Sequence, residues 1–219
     1  MKKNLFIIGV GGQAKMAASI AETKFNIKGF IDLNKNNSIN DIKFLSKKIL
    51  NLKFFIQKYK NENLFIAVGE NKDRKKIYNH LKKYNFKYPN LIHKSAIIHK
   101  SVKLGMGNII MPNVVINPQS VIMDFAIINT SSIVEHDCKI SSFSSISPRA
   151  TLCGNCFIDE GSFIGANTCI IQNILVGKWS VVGASSVVIK NISNQSLNFG
   201  SPSKEIKKID SKYKVFINC

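Results

Sequence analysis

Acidic residues are scarce in this chain: 13 Asp and Glu stand against 31 Lys and Arg, for a net charge of +18. Proline is also sparse, at five residues, and with 45% hydrophobic content the composition is that of a globular chain rather than a disordered one. No run of eighteen apolar residues occurs, so no membrane-spanning helix is expected. The opening stretch, MKKNLFIIGVGGQAK, has a basic flank, but its apolar run is only about six residues, short for a secretory signal core. The five cysteines, an odd number, suit free thiols in a reducing compartment rather than a disulfide framework. The expectation is a cytoplasmic protein with no membrane partner.

The shortage of acids is uneven. Residues 1–90 carry 19 Lys/Arg and 6 Asp/Glu, and residues 91–219 carry 12 and 7. A basic half attracts polyanions, either nucleic acid or phosphorylated small molecules. Lysines scattered over a solvated surface read equally well, and no nucleic-acid-binding module accompanies them. No nucleic-acid partner is expected.

The two halves follow different rules. In residues 1–90, LFIIGVG (5–11), IKGFID (27–32) and LFIAVG (64–69) read as strands. GQAKMAASIAETK (12–24) and NKDRKKIYNHLKKY (71–84) read as helices. Alternation of this kind predicts an α/β, Rossmann-like domain with a parallel sheet. Pro89 marks its end. From Ile92, every sixth residue through Val188 is Ile, Leu or Val, seventeen in succession. Chance would give this on the order of once in 10⁸. Four residues after each of these comes a second, mostly small column that includes Ser120, Ser132, Cys138, Ser144, Ala150, Cys156 and Ser162. Large and small inward positions at a period of six describe a narrow β-solenoid, with three strands to an 18-residue coil. Residues 91–193 form this second domain, and 194–219 a C-terminal tail or cap.

In this register His136, in SIVEHDCKI, falls two residues after inward Val134, at or near a corner of the triangle. Pro118 stacks below it and Gly154 above. A histidine beside a free backbone N–H suits acyl transfer, since one group takes a proton while the other steadies an oxyanion. Asp137 or Glu135 can fix the imidazole tautomer. His80, His93 and His99 lack such a setting and read as structural or surface residues.

The hexad pattern resembles that of the hexapeptide-repeat acyltransferases. That resemblance implies a left-handed parallel β-helix and a homotrimer with active sites in the clefts between subunits. AIINTSSIVEHDCKI, with LCGN, GSFIGANTCI and SVVGASSVVIKNI after it, resembles the sugar acetyltransferases more specifically. These include UDP-4-amino-sugar N-acetyltransferases of bacterial surface-glycan and glycoprotein biosynthesis, and sialic acid O-acetyltransferases. By this resemblance His136 is the general base, Asp137 orients it, and Gly154 offers its N–H to the acetyl carbonyl. Asn129 and Glu135 belong to the acceptor site. The donor, acetyl-coenzyme A, lies near Gly154, Ala166, Gly183 and Ala184, and near Pro202 in a GSPSK turn similar to the family's G-x-P-A-K. No metal is implied. The expected reaction is direct acetyl transfer to a sugar, with the amine of a UDP-4-amino sugar first and sialic acid O-acetylation as the alternative. Many members carry GGHAK where this chain has Gln13, and several N-acetyltransferases carry a second histidine where it has Ser145. Members resembling sialic acid O-acetyltransferases more often lack both.

The turn GVGGQA resembles a dinucleotide fingerprint, with Asp32 at a plausible distance. Ninety residues supply about one mononucleotide half. Gly9, Gly11, Gly12 and Gln13 therefore read as the approach for the phosphates of a sugar nucleotide, with Asp32 available to a hydroxyl. CGNC (153–156) lacks two further zinc ligands at a suitable spacing, so its thiols read as small buried groups. Two readings from other classes are a non-catalytic solenoid serving as an assembly or binding module and, more weakly, a nicotinamide-dependent oxidoreductase.

Overall fold

The computed structural model describes residues 2–33, 47–210 and 212–216. The chain divides into two compact units, with the division between Leu91 and Ile92.

The first unit contains β1 (Lys3–Ile8), α1 (Gly12–Ala21), β2 (Phe25–Asp32), β3 (Ile49–Asn51), α2 (Leu52–Lys58), β4 (Leu64–Ile66) and α3 (Asn71–Leu81). Its sheet runs in the order β3-β2-β1-β4 with every pair parallel. Leu5, Phe6, Ile7 and Ile8 of the central β1 are all buried, so the strand reads as a continuous apolar run rather than an alternating one. The sequence reading did not assign β3 and α2. Helix α2 has seven residues, of which Phe55 is buried, so no amphipathic period develops. Its start is set by Asn51, whose side chain accepts the Lys53 N–H at 2.8 Å. Tertiary packing of Phe55 on Phe6, Tyr59 and Phe86 holds it in place.

The second unit is a three-sided left-handed parallel β-helix. Seventeen two-residue strands, β5 to β21, run from Leu91–Ile92 to Val187–Val188, and each ends on a member of the hexad column. Pairing is parallel and offset by 18, as in Ile133↔Thr151 and Thr151↔Cys169. Three faces result. The first carries Ile110, Ile128 and Ile146 inward, the second Ile116, Val134 and Leu152, and the third Leu104, Ile122 and Ile140. From Asn113 to Ser185 every sixth residue has positive φ, with Gly161 taking one of these corners. Asn and Asp tolerate that conformation, but Phe125, Arg149 and Trp179 are also held in it, so coil closure imposes it on side chains that do not favour it.

The small inward column carries hydrogen bonds as well as filling space. Ser120 Oγ donates to Glu135 O (2.7 Å), Ser144 Oγ to Asp159 O (3.0 Å), and Ser162 Oγ to Gly177 O. The same oxygens of Ser120 and Ser162 accept the N–H of the residue eighteen further on. Small polar side chains at these positions thus satisfy corner backbone that would otherwise be buried unpaired. Beyond the last coil, β22 (Ser196–Gly200) extends the first face in parallel, and β23 (Ser203–Lys208) returns antiparallel to it. Ile209, Tyr213 and Val215 pack over Val181 and Leu197, so the tail covers part of that face.

Candidate active site

The corner between the second and third faces is built by Glu135, His136 and Asp137. Asp137 takes the left-handed position, with φ 61°. Its carboxylate then lies 2.8 Å from His136 Nδ1. With a carboxylate on Nδ1, the neutral form of the ring is the tautomer that carries its proton there and presents the Nε2 lone pair outward. The imidazole and the carboxylate are 61% and 55% exposed, so Nε2 is open to a reactant. Of the two acids flanking the histidine, Asp137 is the one that touches it. Glu135 faces the outside of the second face, where its Oε2 accepts from Asn117 Nδ2 at 2.9 Å.

Gly154 stacks one coil beyond His136. A Cβ on it would lie 2.5 Å from His136 Cε1 and 2.7 Å from Nε2. The space left by the absent side chain is therefore filled by the ring itself, lying against the Gly154 backbone. Among the described residues nothing accepts a hydrogen bond from the Gly154 N–H. Behind this corner, Cys138 Sγ contacts Cys153 O at 3.2 Å and Cys156 N at 3.4 Å. The neighbouring Cys156 sulfur and burial both push the Cys138 thiol well above its ordinary range, so it stays protonated. Cys138, Cys153, Cys156 and Cys169 are all free. Among the described residues no group of three or more His, Cys, Asp or Glu is arranged to hold a metal.

The other expected donor and acceptor residues of the solenoid stand on a different edge. Asn129, Ala166, Gly183 and Ala184 lie along the corner between the first and second faces. They are separated from His136 by a whole side of the triangle, roughly 15–20 Å at the rise of a strand. Asn129 Oδ1 is occupied by the Thr130 N–H at 2.8 Å. Gly183 is buried beneath the ring of Phe199, which would overlap any Cβ placed there. Ala184 and Pro202 are exposed. The turn holding Pro202 is tied to the same edge by Gly200 N–H to Ser186 Oγ at 3.2 Å. The structure thus brings His136, Asp137 and Gly154 together, and within one chain it leaves the proposed donor edge apart from them.

In the first unit the three glycines of the turn differ in kind. Gly9 has φ +114°, and a Cβ on it would meet Ala67 O at 2.5 Å, so the fold itself requires glycine there. Gly11, the N-cap of α1, and Gly12 have open space where a Cβ would be, and both are exposed. Helix α1 has no acid in its first turn and no side-chain cap, so among the described residues nothing accepts from the Gly12 and Gln13 N–H groups at its positive dipole end, a setting suited to an anion. Gln13 Nε2 is buried and makes no hydrogen bond among the described residues. Asp32, at the end of β2, lines a cleft of about 560 Å³ together with Asn51, Lys53, Gln57, His80 and Tyr84. That cleft was not anticipated from the sequence, because half of its lining comes from α2 and from the far end of α3.

A family profile described as the PglD N-terminal domain matches residues 4–81. PerB from Caulobacter crescentus, solved with CoA and GDP-perosamine, superposes with a TM-score of 0.84 at 30% identity, over 93% of this chain and 97% of its own. The acetyltransferase domain of PglB from Neisseria gonorrhoeae, solved with acetyl coenzyme A, gives 0.85 at 30% identity, over 94% and 100%. The chain belongs to the hexapeptide-repeat sugar N-acetyltransferase family. WeeI from Acinetobacter baumannii, at 21% identity and a TM-score of 0.84, shares the fold of this family. A curated relative, the protein L142 of Acanthamoeba polyphaga mimivirus, is 32% identical over 125 residues, and the matched stretch spans 24% of that much longer protein. Among the described residues no helix is long and apolar enough to cross a membrane.

Sequence reasoning missed two contributors to the site, Asn117 and Ser120. Asn117 holds Glu135 and Ser120 holds the Glu135 carbonyl. Both stand about one coil before the histidine, and the offsets that find such partners are eighteen for side chains stacked at a corner, as for Asn117 and Glu135, and fifteen for an inward serine and the corner carbonyl it holds, as for Ser120 and Glu135.

Proposed function

We propose that the protein transfers acetyl from acetyl-coenzyme A to the amine of a nucleotide-linked amino sugar, with a UDP-linked 4-amino sugar as the acceptor favoured by its sequence. The observation that carries this is the His136–Asp137 pair lying against Gly154. Membership of a family whose members were solved with CoA, acetyl coenzyme A and GDP-perosamine supports it. His136 Nε2 takes the proton from the attacking nitrogen as the N–C bond forms at the thioester carbon. The Gly154 N–H faces the oxygen on which charge develops. When the tetrahedral adduct collapses, the C–S bond breaks and the coenzyme A sulfur leaves as the thiolate, which the His136 imidazolium can protonate. Asp137 stabilises that imidazolium throughout. A reaction drawing on acetyl-coenzyme A, together with free thiols, fits the cytoplasm.

The acceptor phosphates meet the N-terminus of α1 at Gly11 and Gly12, in the half of the chain carrying the larger basic excess. The donor lies along the edge of Ala166 and Ala184. That edge and the His136 edge flank the second face on opposite sides, so a complete site needs two copies. The outside of the second face is the surface that would join them. Ile97 is 66% exposed there, and Val115, Ile133, Val187 and Ile171 are only half-buried. The homotrimer that the family resemblance implies, with its sites between neighbours, would supply that second copy.

Release of the coenzyme A thiol, followed across UDP- and GDP-linked amino sugars and across free and CMP-linked sialic acid, tests the assignment. Turnover of a nucleotide-linked amino sugar is expected, with the free nucleotide competing against the acceptor. Asp32→Ala should raise the acceptor KM and leave the donor KM unchanged. Turnover of sialic acid alone would replace this reading with O-acetylation, which the presence of Gln13 and Ser145 in place of histidines would then explain. Absence of turnover with every acceptor, in protein that binds acetyl-coenzyme A poorly, would favour a non-catalytic solenoid.

A further inference from the structure

Two buried residues of the small column stand directly behind the His136 corner. Ser120 Oγ donates to Glu135 O at 2.7 Å and accepts the Cys138 N–H at 3.1 Å. Cys138 Sγ donates to Cys153 O at 3.2 Å and accepts the Cys156 N–H at 3.4 Å. The two carbonyls are not arbitrary. Glu135 C=O shares its peptide unit with the His136 N–H, and Cys153 C=O shares its own with the Gly154 N–H. In a trans peptide the C=O and N–H point in opposite directions. A carbonyl drawn toward the core by a buried donor therefore turns the attached N–H outward, to the side where the imidazole lies.

We infer that Ser120 and Cys138 are positioning residues of the acetyl-transfer site, fixing from inside the solenoid the peptide planes that carry His136 and the Gly154 N–H. The inference rests on acetyl transfer at His136 and Gly154. It assigns a catalytic consequence to two side chains that touch neither substrate. The rest of the ladder supplies matched controls. Ser144 is as fully buried as Ser120 and grips Asp159 O at 3.0 Å, at the corner between the third and first faces. Cys156 stands in the same column as Cys138 and grips Ile171 O at 3.1 Å, one coil further on.

The test compares kcat, both KM values and urea midpoints for Ser120→Ala, Cys138→Ala, Cys138→Ser, Ser144→Ala, Cys156→Ala and His136→Ala. Displacing a catalytic group by about 1 Å can cost up to 10²-fold, and a loosened peptide plane is a smaller error, so Ser120→Ala and Cys138→Ala should lose about tenfold in kcat. Both KM values should stay within about twofold, because neither residue touches a substrate. Ser144→Ala and Cys156→Ala should lose comparable stability and keep kcat. Cys138→Ser should restore the rate, since a hydroxyl donates where Ser120 and Ser144 already do. If an alanine variant does not fold, the isosteric Ser120→Cys and Cys138→Ser decide the matter. The first weakens a donor and should slow the enzyme, and the second strengthens one and should not. Losses in kcat that merely track the urea midpoint across the four alanine variants of the inward column would overturn the inference, as would Cys138→Ser being as slow as Cys138→Ala. A fully active His136→Ala would instead remove the acetyl-transfer reading itself. An inactive His136→Ala beside equal Ser120→Ala and Ser144→Ala would remove only this inference.

Discussion

Gly154→Ala is the substitution that best separates activity from stability in this protein. The added Cβ would sit 2.5 Å from His136 Cε1 and 2.7 Å from Nε2. Ordinary carbon contacts begin near 3.5 Å, so the ring must retreat by about 1 Å. It can do so, being 61% exposed, but the 2.8 Å contact of Nδ1 with Asp137 then breaks or turns. An exposed pair of this kind contributes at most about 1 kcal/mol. Gly154 does not have a left-handed φ, so alanine fits its backbone. Gly→Ala at such a site stabilises by about 0.4–1 kcal/mol through the unfolded chain. These effects nearly cancel, and the urea midpoint should shift by less than about 1 kcal/mol equivalent. The rate should not be spared, since a 1 Å error in a catalytic base costs about 10²-fold in kcat. The assay is coenzyme A thiol release at saturating donor and acceptor, run beside urea unfolding. A variant with wild-type kcat would refute the placement of the imidazole against Gly154. A variant destabilised by more than about 2 kcal/mol would refute the claim that the ring, rather than the coil, absorbs the clash.

Other substitutions test the remaining parts. His136→Ala should lose about 10²–10⁴-fold in kcat, the share of a positioned general base, and Asp137→Asn less, because the base remains; the check is steady-state kinetics at fixed pH. In the first unit Gly9→Ala should lower the thermal midpoint, since its φ of +114° and the nearby Ala67 carbonyl both oppose a side chain. Gly11→Val, where there is open space, should leave that midpoint in place and raise only the acceptor KM. Ile133→Asp, on the half-buried outer row of the second face, should yield monomers by light scattering and abolish turnover while circular dichroism keeps its β signature. A fully active monomer would show that one chain holds a complete site.

The solenoid was legible because its signal is redundant. Each inward aliphatic residue repeats at six and stacks at eighteen, so seventeen positions testify to one register, and every strand of the helix ends on one of them. The same register put His136 at a corner and Gly154 one coil beyond it. The short elements were less legible. Helix α2 is seven residues long, and its place is decided by one phenylalanine meeting Phe6 and Phe86, rings distant in the sequence. No local pattern can announce that. The positive φ at each corner was silent for a related reason. Phe125, Arg149 and Trp179 carry no preference for it, and the closing of the coil is what enforces it.

The sequence by itself determined the period, the three-sided coil and the place of His136 at a corner beneath Gly154, because each is a matter of spacing along the chain. Tertiary structure alone decided which acid holds the imidazole. Glu135 and Asp137 are equal neighbours in the sequence, but the left-handed corner swings Asp137 onto the ring and leaves Glu135 to Asn117, eighteen residues away. It also decided that the small inward residues are donors as well as fillers. Size can be read from residue type, but a hydrogen bond exists only once the carbonyl of the next coil lies within reach of the buried oxygen or sulfur.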